Sequence, residues 1–152
     1  MSRQAKAALL TGGPAAQVGA LCLREDGRVL LITSRGSRRW IIPKGWEMPG
    51  RSPAQAALQE AWEEAGVEGR VEENPVGTYH YDKILKHGQV LKAEVRVYRV
   101  AVAALADAFP EAGQRQRRWF RPVKAAARVA EAELRQLLAA LPDPGPEPGG
   151  AG

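Results

Sequence analysis

The chain has 152 residues, 45% apolar and 26% charged, the balance of one soluble globular domain with little room for a second. Its single cysteine, Cys22, excludes an intrachain disulfide and any multi-cysteine zinc site, and no apolar run reaches the length of a membrane span. With 22 Lys and Arg against 17 Asp and Glu, the net charge of +5 favours anionic partners: phosphates, nucleic acid or acidic membrane surfaces.

Residues 1–14 read as a flexible leader, small and polar, and the Thr11-Gly12-Gly13-Pro14 break argues against a signal peptide. With one thiol, that leads to the expectation of a cytoplasmic protein. Val18–Leu23 and Val29–Ile32 predict a hairpin around Arg24-Glu25-Asp26-Gly27, and Trp40-Ile41-Ile42 a third short strand ended by Pro43. Gly45–Arg51 reads as a loop. A helix is then expected from Ser52 as N-cap and Pro53 at the first position through Ala65, with Gly66 as its left-handed terminator. Strands are expected at Val67–Val71, Val76–Tyr81, Val90–Val102 and Trp119–Arg121, with His87-Gly88 in a turn. Ala125–Leu141 predicts a second helix, and 142–152 a disordered Pro/Gly tail. The domain proper is 15–141. Its order of elements argues an α+β or mixed α/β sandwich, a mixed sheet between helices.

Glu60, Glu63 and Glu64 stand at i, i+3 and i+4, so the helix carries three carboxylates on one side. The other side is Ala54, Ala57, Leu58, Ala61 and Ala65, suited to close packing on a sheet. Three carboxylates so spaced can gather a hard cation, Mg²⁺ or Mn²⁺, although the same pattern also describes solvated helix faces. Basic groups flank the acids in sequence: Arg35, Arg38, Arg39 and Lys44 before, Lys83, Lys86, His87 and Lys92 after, then Arg115, Arg117, Arg118 and Arg121. A basic rim around an acidic centre suits a metal-and-phosphate site.

Gly45 through Val67 resembles the Nudix box, G-x5-E-x7-R-E-U-x-E-E-x-G-U, where U is a bulky aliphatic. Gly45, Glu60, Glu63, Glu64, Gly66 and Val67 match; Ala61 is a marginal U; Arg51 replaces the first Glu and Gln59 replaces the Arg. VLLITSRGSRRWIIPKG and RRWFRPVK are similar to the diphosphoinositol polyphosphate phosphohydrolase branch, and the likeness covers about residues 18–140. The resemblance implies an α/β/α Nudix sandwich and water attack on phosphorus in a phosphoanhydride. Its expected metal ligands are Glu60, Glu64 and the Gly45 carbonyl, with Glu63 as catalytic base. Arg38, Arg39, Lys44, Lys83, Lys86 and His87 are expected to hold a polyphosphorylated small molecule, of diphosphoinositol or dinucleoside polyphosphate type. RNA 5′ ends are an alternative substrate, and a non-catalytic nucleotide sensor is a rival reading prompted by Arg51 and Gln59. Arg51 is expected to supply from the loop the cation missing at 59. Glu94 and Glu111 are the candidates for a further catalytic glutamate. No membrane association is expected, and the protein is expected as a monomer or homodimer.

Overall fold

A computed structural model describes residues 3–145. Eight strands form one mixed sheet among the described residues: β1 (Ala15–Leu23), β2 (Val29–Thr33), β3 (Trp40–Ile41), β4 (Lys44–Trp46), β5 (Val67–Val71), β6 (Gly77–Ile84), β7 (Val90–Leu105) and β8 (Arg117–Phe120). The parallel pairing of β1 with β7, in register from Ala15↔Ala93 to Leu23↔Ala101, makes the sheet mixed. β7 is long enough to take two further partners, β6 along its first half and β5 along its second.

Alternation along β1 explains the two-sided core. Val18, Ala20 and Cys22 face one cluster together with Leu30, Ile32 and Val100, and the helix α2 (Pro53–Ala65) covers it. Leu21 faces the opposite cluster with Leu31, Val95 and Val97, covered by α3 (Pro122–Arg128) and α4 (Ala132–Ala139). The result is the expected α/β/α sandwich. Cys22 is a core residue, and burial pushes its thiol up to about 12, which removes it from redox or metal chemistry.

α2 follows its sequence signals closely. The Ser52 hydroxyl accepts the Gln55 N–H at 3.1 Å, a cap worth about 1 kcal/mol, and Gly66 at φ 70° receives the chain at the other end. Ala54, Ala57, Ala61 and Ala65 are fully buried against the sheet, so the helix axis lies close to it. A larger residue at any of these positions would overpack the interface at about 1–3 kcal/mol.

Three segments differ from the sequence expectation. Residues 3–11 of the supposed leader form a helix, α1 (Arg3–Thr11), whose Ala5 and Ala8 pack with Ala15 and Leu91. The i, i+3 spacing of two alanines was too weak an apolar signal to read. Lys44–Trp46, taken for the start of a loop, is an edge strand antiparallel to β1, with Val18 opposite Gly45. The helix expected over 125–141 is two helices broken at an extended Val129 (φ −88°, ψ 151°), and Val129, Leu134 and Leu138 are all buried in the same cluster. Of the expected tail, 146–152 lies outside the described residues; Asp143 pairs with Arg121 at 2.5 Å.

α4 is tied to the sheet through His80 on β6. Its Nδ1 lies 2.9 Å from Glu133 and its Nε2 3.0 Å from Glu94 on β7, and its backbone N–H also donates to Glu133. The hydrogen bond to Glu133, then that to Glu94, raises the imidazole pKa above its ordinary 6.5. A raised folded-state pKa gives stability that is complete below the unfolded value and is lost as pH climbs through the folded one. The melting temperature of wild type should therefore exceed that of His80→Gln most at about pH 5.5, and the gap should shrink as the pH climbs above the ordinary imidazole value. A gap independent of pH would show that the charged imidazole contributes nothing.

Candidate active site

The alanine face that seats α2 on the sheet turns Glu60, Glu63 and Glu64 toward one end of the sandwich, where β4 crosses. Gly45 on β4 lies directly against Glu60: a Cβ at position 45 would overlap the Glu60 carboxyl carbon and both its oxygens. One residue earlier, the Lys44 backbone N–H donates to Glu64 Oε1 at 3.0 Å. Glycine at 45 thus lets the backbone lie against a carboxylate that any Cβ would push aside, and serves no need for dihedral freedom.

The connection from β7 to β8 closes the site from the other side. It is fastened to the end of α2 by Ala106 N–H to the Gly66 carbonyl at 2.8 Å and Glu111 N–H to the Glu63 carbonyl at 3.0 Å. Arg117 Nη1 reinforces this by donating to the carbonyls of Ala65 and Ala106 at 2.7 and 2.8 Å. Gly66 is required here twice over, by its positive φ and because a Cβ would stand 2.6 Å from Phe109 and 2.9 Å from Arg117. The same connection delivers Glu111 and Arg115 to the glutamates. Arg115 Nη2 donates to Glu64 Oε2 at 3.1 Å and its Nε to Glu111 Oε1 at 3.1 Å.

These groups border an open cleft of about 480 Å³, whose walls include Glu60, Glu64, Glu111, Arg35, Lys44, Lys83 and Arg115. Its remaining wall is amphipathic: Trp46, Met48 and Tyr81, the Tyr81 hydroxyl donating to Gln17 at 2.7 Å. Burial dominates the electrostatics, and like-charge crowding adds to it. Burial first, then Glu64, Glu63 and Glu111, push the Glu60 carboxyl up to about 8, with Arg115 opposing. Burial also raises Glu64, against the pull of Arg115 and the Lys44 N–H. Lys44 is lowered by burial, with its ammonium 4.8 Å over the Tyr81 ring.

Among the described residues no three acidic or histidine side chains already converge on a single metal position. Glu64 holds Arg115 and the Lys44 N–H, and Glu63 accepts from Gln59 Nε2 at 3.1 Å. The donor set nonetheless suits a hard dication. It is all oxygen, Glu60 has no ion-pair partner among the described residues, and Glu60 has the Gly45 backbone beside it.

Of the residues singled out in the sequence, Gly45, Glu60, Glu64, Lys44 and Lys83 come together at the cleft, whereas Glu63 is not among its walls and is held by Gln59. Arg38 and Arg39 sit in the β2–β3 loop outside the cleft walls, Arg39 facing Glu131 at 3.9 Å. Lys86 and His87 occupy the tip of the β6–β7 hairpin, in a 3-10 turn, and do not border the cleft. Tyr79 is buried in the core and unavailable for stacking, whereas Tyr81 and Trp46 are at the cleft. Glu94 belongs to the His80 clasp; Glu111 is the acid outside the box that reaches the site. Arg51 is exposed and makes no side-chain ion pair among the described residues, so the cation at the glutamates is Arg115, not Arg51. Sequence reasoning counted Arg35 and Arg115 in the basic groups around the acids but gave neither a role at the site; a further signal for Arg115 is its i, i+4 spacing from Glu111.

The NUDIX domain profile matches residues 13–141. The human diphosphoinositol polyphosphate phosphohydrolase 3-beta is 32% identical over 110 residues, covering 69% of this chain and 63% of that protein. Nudix hydrolase 4 of Arabidopsis thaliana is 35% identical over 92 residues, covering 60% of this chain and 42% of that one. The chain thus spans less than two thirds of the curated relatives it matches. A solved Ap4A hydrolase from C. elegans superposes with a TM-score of 0.61 at 22% identity, over 82% of this chain and 92% of the other. The E. coli dihydroneopterin triphosphate pyrophosphohydrolase gives 0.64 at 19% identity, over 81% and 91%.

Gly45→Ala isolates the Glu60 contact, because the displaced group is the free end of a flexible side chain. Its melting temperature without metal should stay within a few degrees of wild type, while Mn²⁺ binding, read from the free-ion EPR signal, should weaken about tenfold or more. Unchanged Mn²⁺ affinity would remove Glu60 from the ligand set.

Proposed function

The chain belongs to the Nudix family, and on that premise we propose that it is a metal-dependent pyrophosphohydrolase cleaving a phosphoanhydride in a polyphosphorylated small molecule. The observation that carries this reading is the joining, in one cleft, of Glu60 and Glu64 beside the Gly45 backbone with Arg35, Lys44, Lys83 and Arg115. The acids suit divalent cations and the bases suit a phosphate chain, and neither set alone would suit the substrate with its counter-ions.

Glu60, Glu64 and the Gly45 carbonyl would hold Mg²⁺ or Mn²⁺. Bound there, the ion would neutralise phosphate oxygens and lower the pKa of a coordinated water. Glu63 takes a proton from the attacking water as its oxygen bonds to phosphorus and the bridging P–O bond breaks. The departing phosphate carries off the bond's electron pair, and Glu63 later returns its proton to solvent. The Gln59 hydrogen bond to Glu63 supports this role, since it fixes one carboxylate oxygen and leaves the other free. Lys83 and Arg35 hold the chain of phosphates. Trp46 and Tyr81 favour a dinucleoside polyphosphate, whose base can stack, over a diphosphoinositol polyphosphate. A cytoplasmic setting agrees with the buried, unreactive Cys22.

Phosphate release is to be measured with diadenosine polyphosphates, an inositol pyrophosphate, ADP-ribose and 5′-triphosphate RNA, each with Mg²⁺ and with Mn²⁺. Wild type should turn over at least one, and Glu63→Gln should lose about a thousandfold in kcat while remaining folded. An unchanged rate would sink the assignment of Glu63; binding without turnover in wild type would favour the sensor. Lys83→Gln should raise KM for the longer polyphosphates several-fold, and Lys86→Gln, away from the cleft, should not. Equal effects of the two would count against Lys83 as a phosphate ligand.

A further inference from the structure

The box arginine is missing from this chain, and the uncharged Gln59 engages only Glu63. A guanidinium nevertheless stands among the glutamates, delivered from a different part of the chain. The Arg115 side chain is 8% exposed, and its nitrogens reach three separate elements. Nη2 donates to Glu64 on α2, Nε to Glu111 on the β7–β8 connection, and Nη1 to the Thr33 carbonyl on β2, each at 3.1 Å. The segment carrying it is itself fixed on both sides. Glu111 N–H is bonded to the Glu63 carbonyl, and the Gln116 N–H to the Thr33 hydroxyl at 2.9 Å.

We propose that Arg115 is the positioning residue of this site, holding Glu64 and Glu111 apart and in fixed orientation from the β7–β8 connection. The proposal rests on the reading of the cleft as a metal-dependent pyrophosphohydrolase site. Two like charges at this range would swing away from each other, and a planar fork with separate donors to each prevents it. A point charge could neutralise one carboxylate but could not span both.

Charge and geometry therefore make opposite contributions to two measurable quantities. As a cation beside the ligands, Arg115 repels a dication. As a fork, it keeps the carboxylates in the arrangement that turnover needs. Arg115→Gln and Arg115→Lys are to be compared with wild type, each checked for its fold by circular dichroism. Mn²⁺ affinity is read by EPR, and kcat and KM on the best substrate of the panel.

Arg115→Gln should bind Mn²⁺ about tenfold more tightly yet lose about a hundredfold in kcat, with KM within a factor of about three. Arg115→Lys should restore wild-type Mn²⁺ affinity but recover little of kcat. If Mn²⁺ affinity and kcat fall together in Arg115→Gln, the residue is only a structural brace and the proposal is overturned. Full recovery of kcat in Arg115→Lys, or kcat in Arg115→Gln within about threefold of wild type, overturns it as well. Should Arg115→Gln fail to fold, the lysine variant still decides between fork and charge. Should wild type turn over nothing, the hydrolase reading fails by itself. The metal-affinity comparison then stands alone, and tighter binding in Arg115→Gln with recovery in Arg115→Lys upholds Arg115 as the cation of the site.

Discussion

The structure is organised around a crowding of like charges. Four carboxylates, Glu60, Glu63, Glu64 and Glu111, gather at one end of α2, where burial first and then the other three raise the Glu60 pKa. A fold does not collect such a group by accident, because each added negative charge costs stability unless something offsets it. The offsets are specific. Gln59 takes Glu63, the Lys44 N–H and Arg115 take Glu64, and Arg115 also takes Glu111. Glu60 and Glu63 have no cation of their own among the described residues, Glu63 having only the neutral Gln59 amide, and Glu60 is the acid lying against the Gly45 backbone. The place where compensation is incomplete is where a dication fits.

The sheet makes this crowding mechanically tolerable. α2 rests on it through alanines, and each of Ala54, Ala57, Ala61 and Ala65 is buried. The short side chains let the helix lie close, so that β4 at the sheet's edge comes within hydrogen-bonding distance of Glu64. Long-range bonds then fix the helix terminus to the connection that carries Glu111 and Arg115. The site is built on rigid elements and one firmly fastened loop, which is how a cluster of mutually repelling groups keeps its geometry.

Legibility in the sequence followed the range of the interactions. α2 was readable from end to end because its signals are local: a serine cap, a proline at the first position, a terminal glycine, an alanine face. The three helix glutamates and Gly45 came with it through the box. The edge strand β4 was hidden because Gly45 and Pro49 resemble loop residues, and only the Glu60 carboxyl explains the glycine. α1 was hidden because its buried face consists of alanines that contribute little periodicity. Arg115 was visible as one of a basic group, but its contact with the glutamates was hidden for a different reason. Its partners lie 51 residues away on α2 and 82 away on β2, and no local pattern announces a side chain recruited across the sheet. Lys86 and His87 misled in the opposite direction, since a hairpin carries basic residues near the cleft in sequence and away from it in space.

The two departures from the box therefore carry different weight. Arg51, alarming as a charge reversal on paper, sits exposed at a turn and leaves the glutamates untouched. Gln59 matters more, because it removes a cation where acids are crowded. A helix cannot replace that cation locally without a new residue on the same face, and that face is already given over to the glutamates and Gln59. The replacement has to come from another element, and the β7–β8 connection is the element already fastened to the end of α2. Loss at position 59 and the guanidinium at 115 are two halves of one arrangement. Seen this way, an altered box does not by itself speak for a protein that has given up chemistry, since the charge it lacks is present 3.1 Å from Glu64.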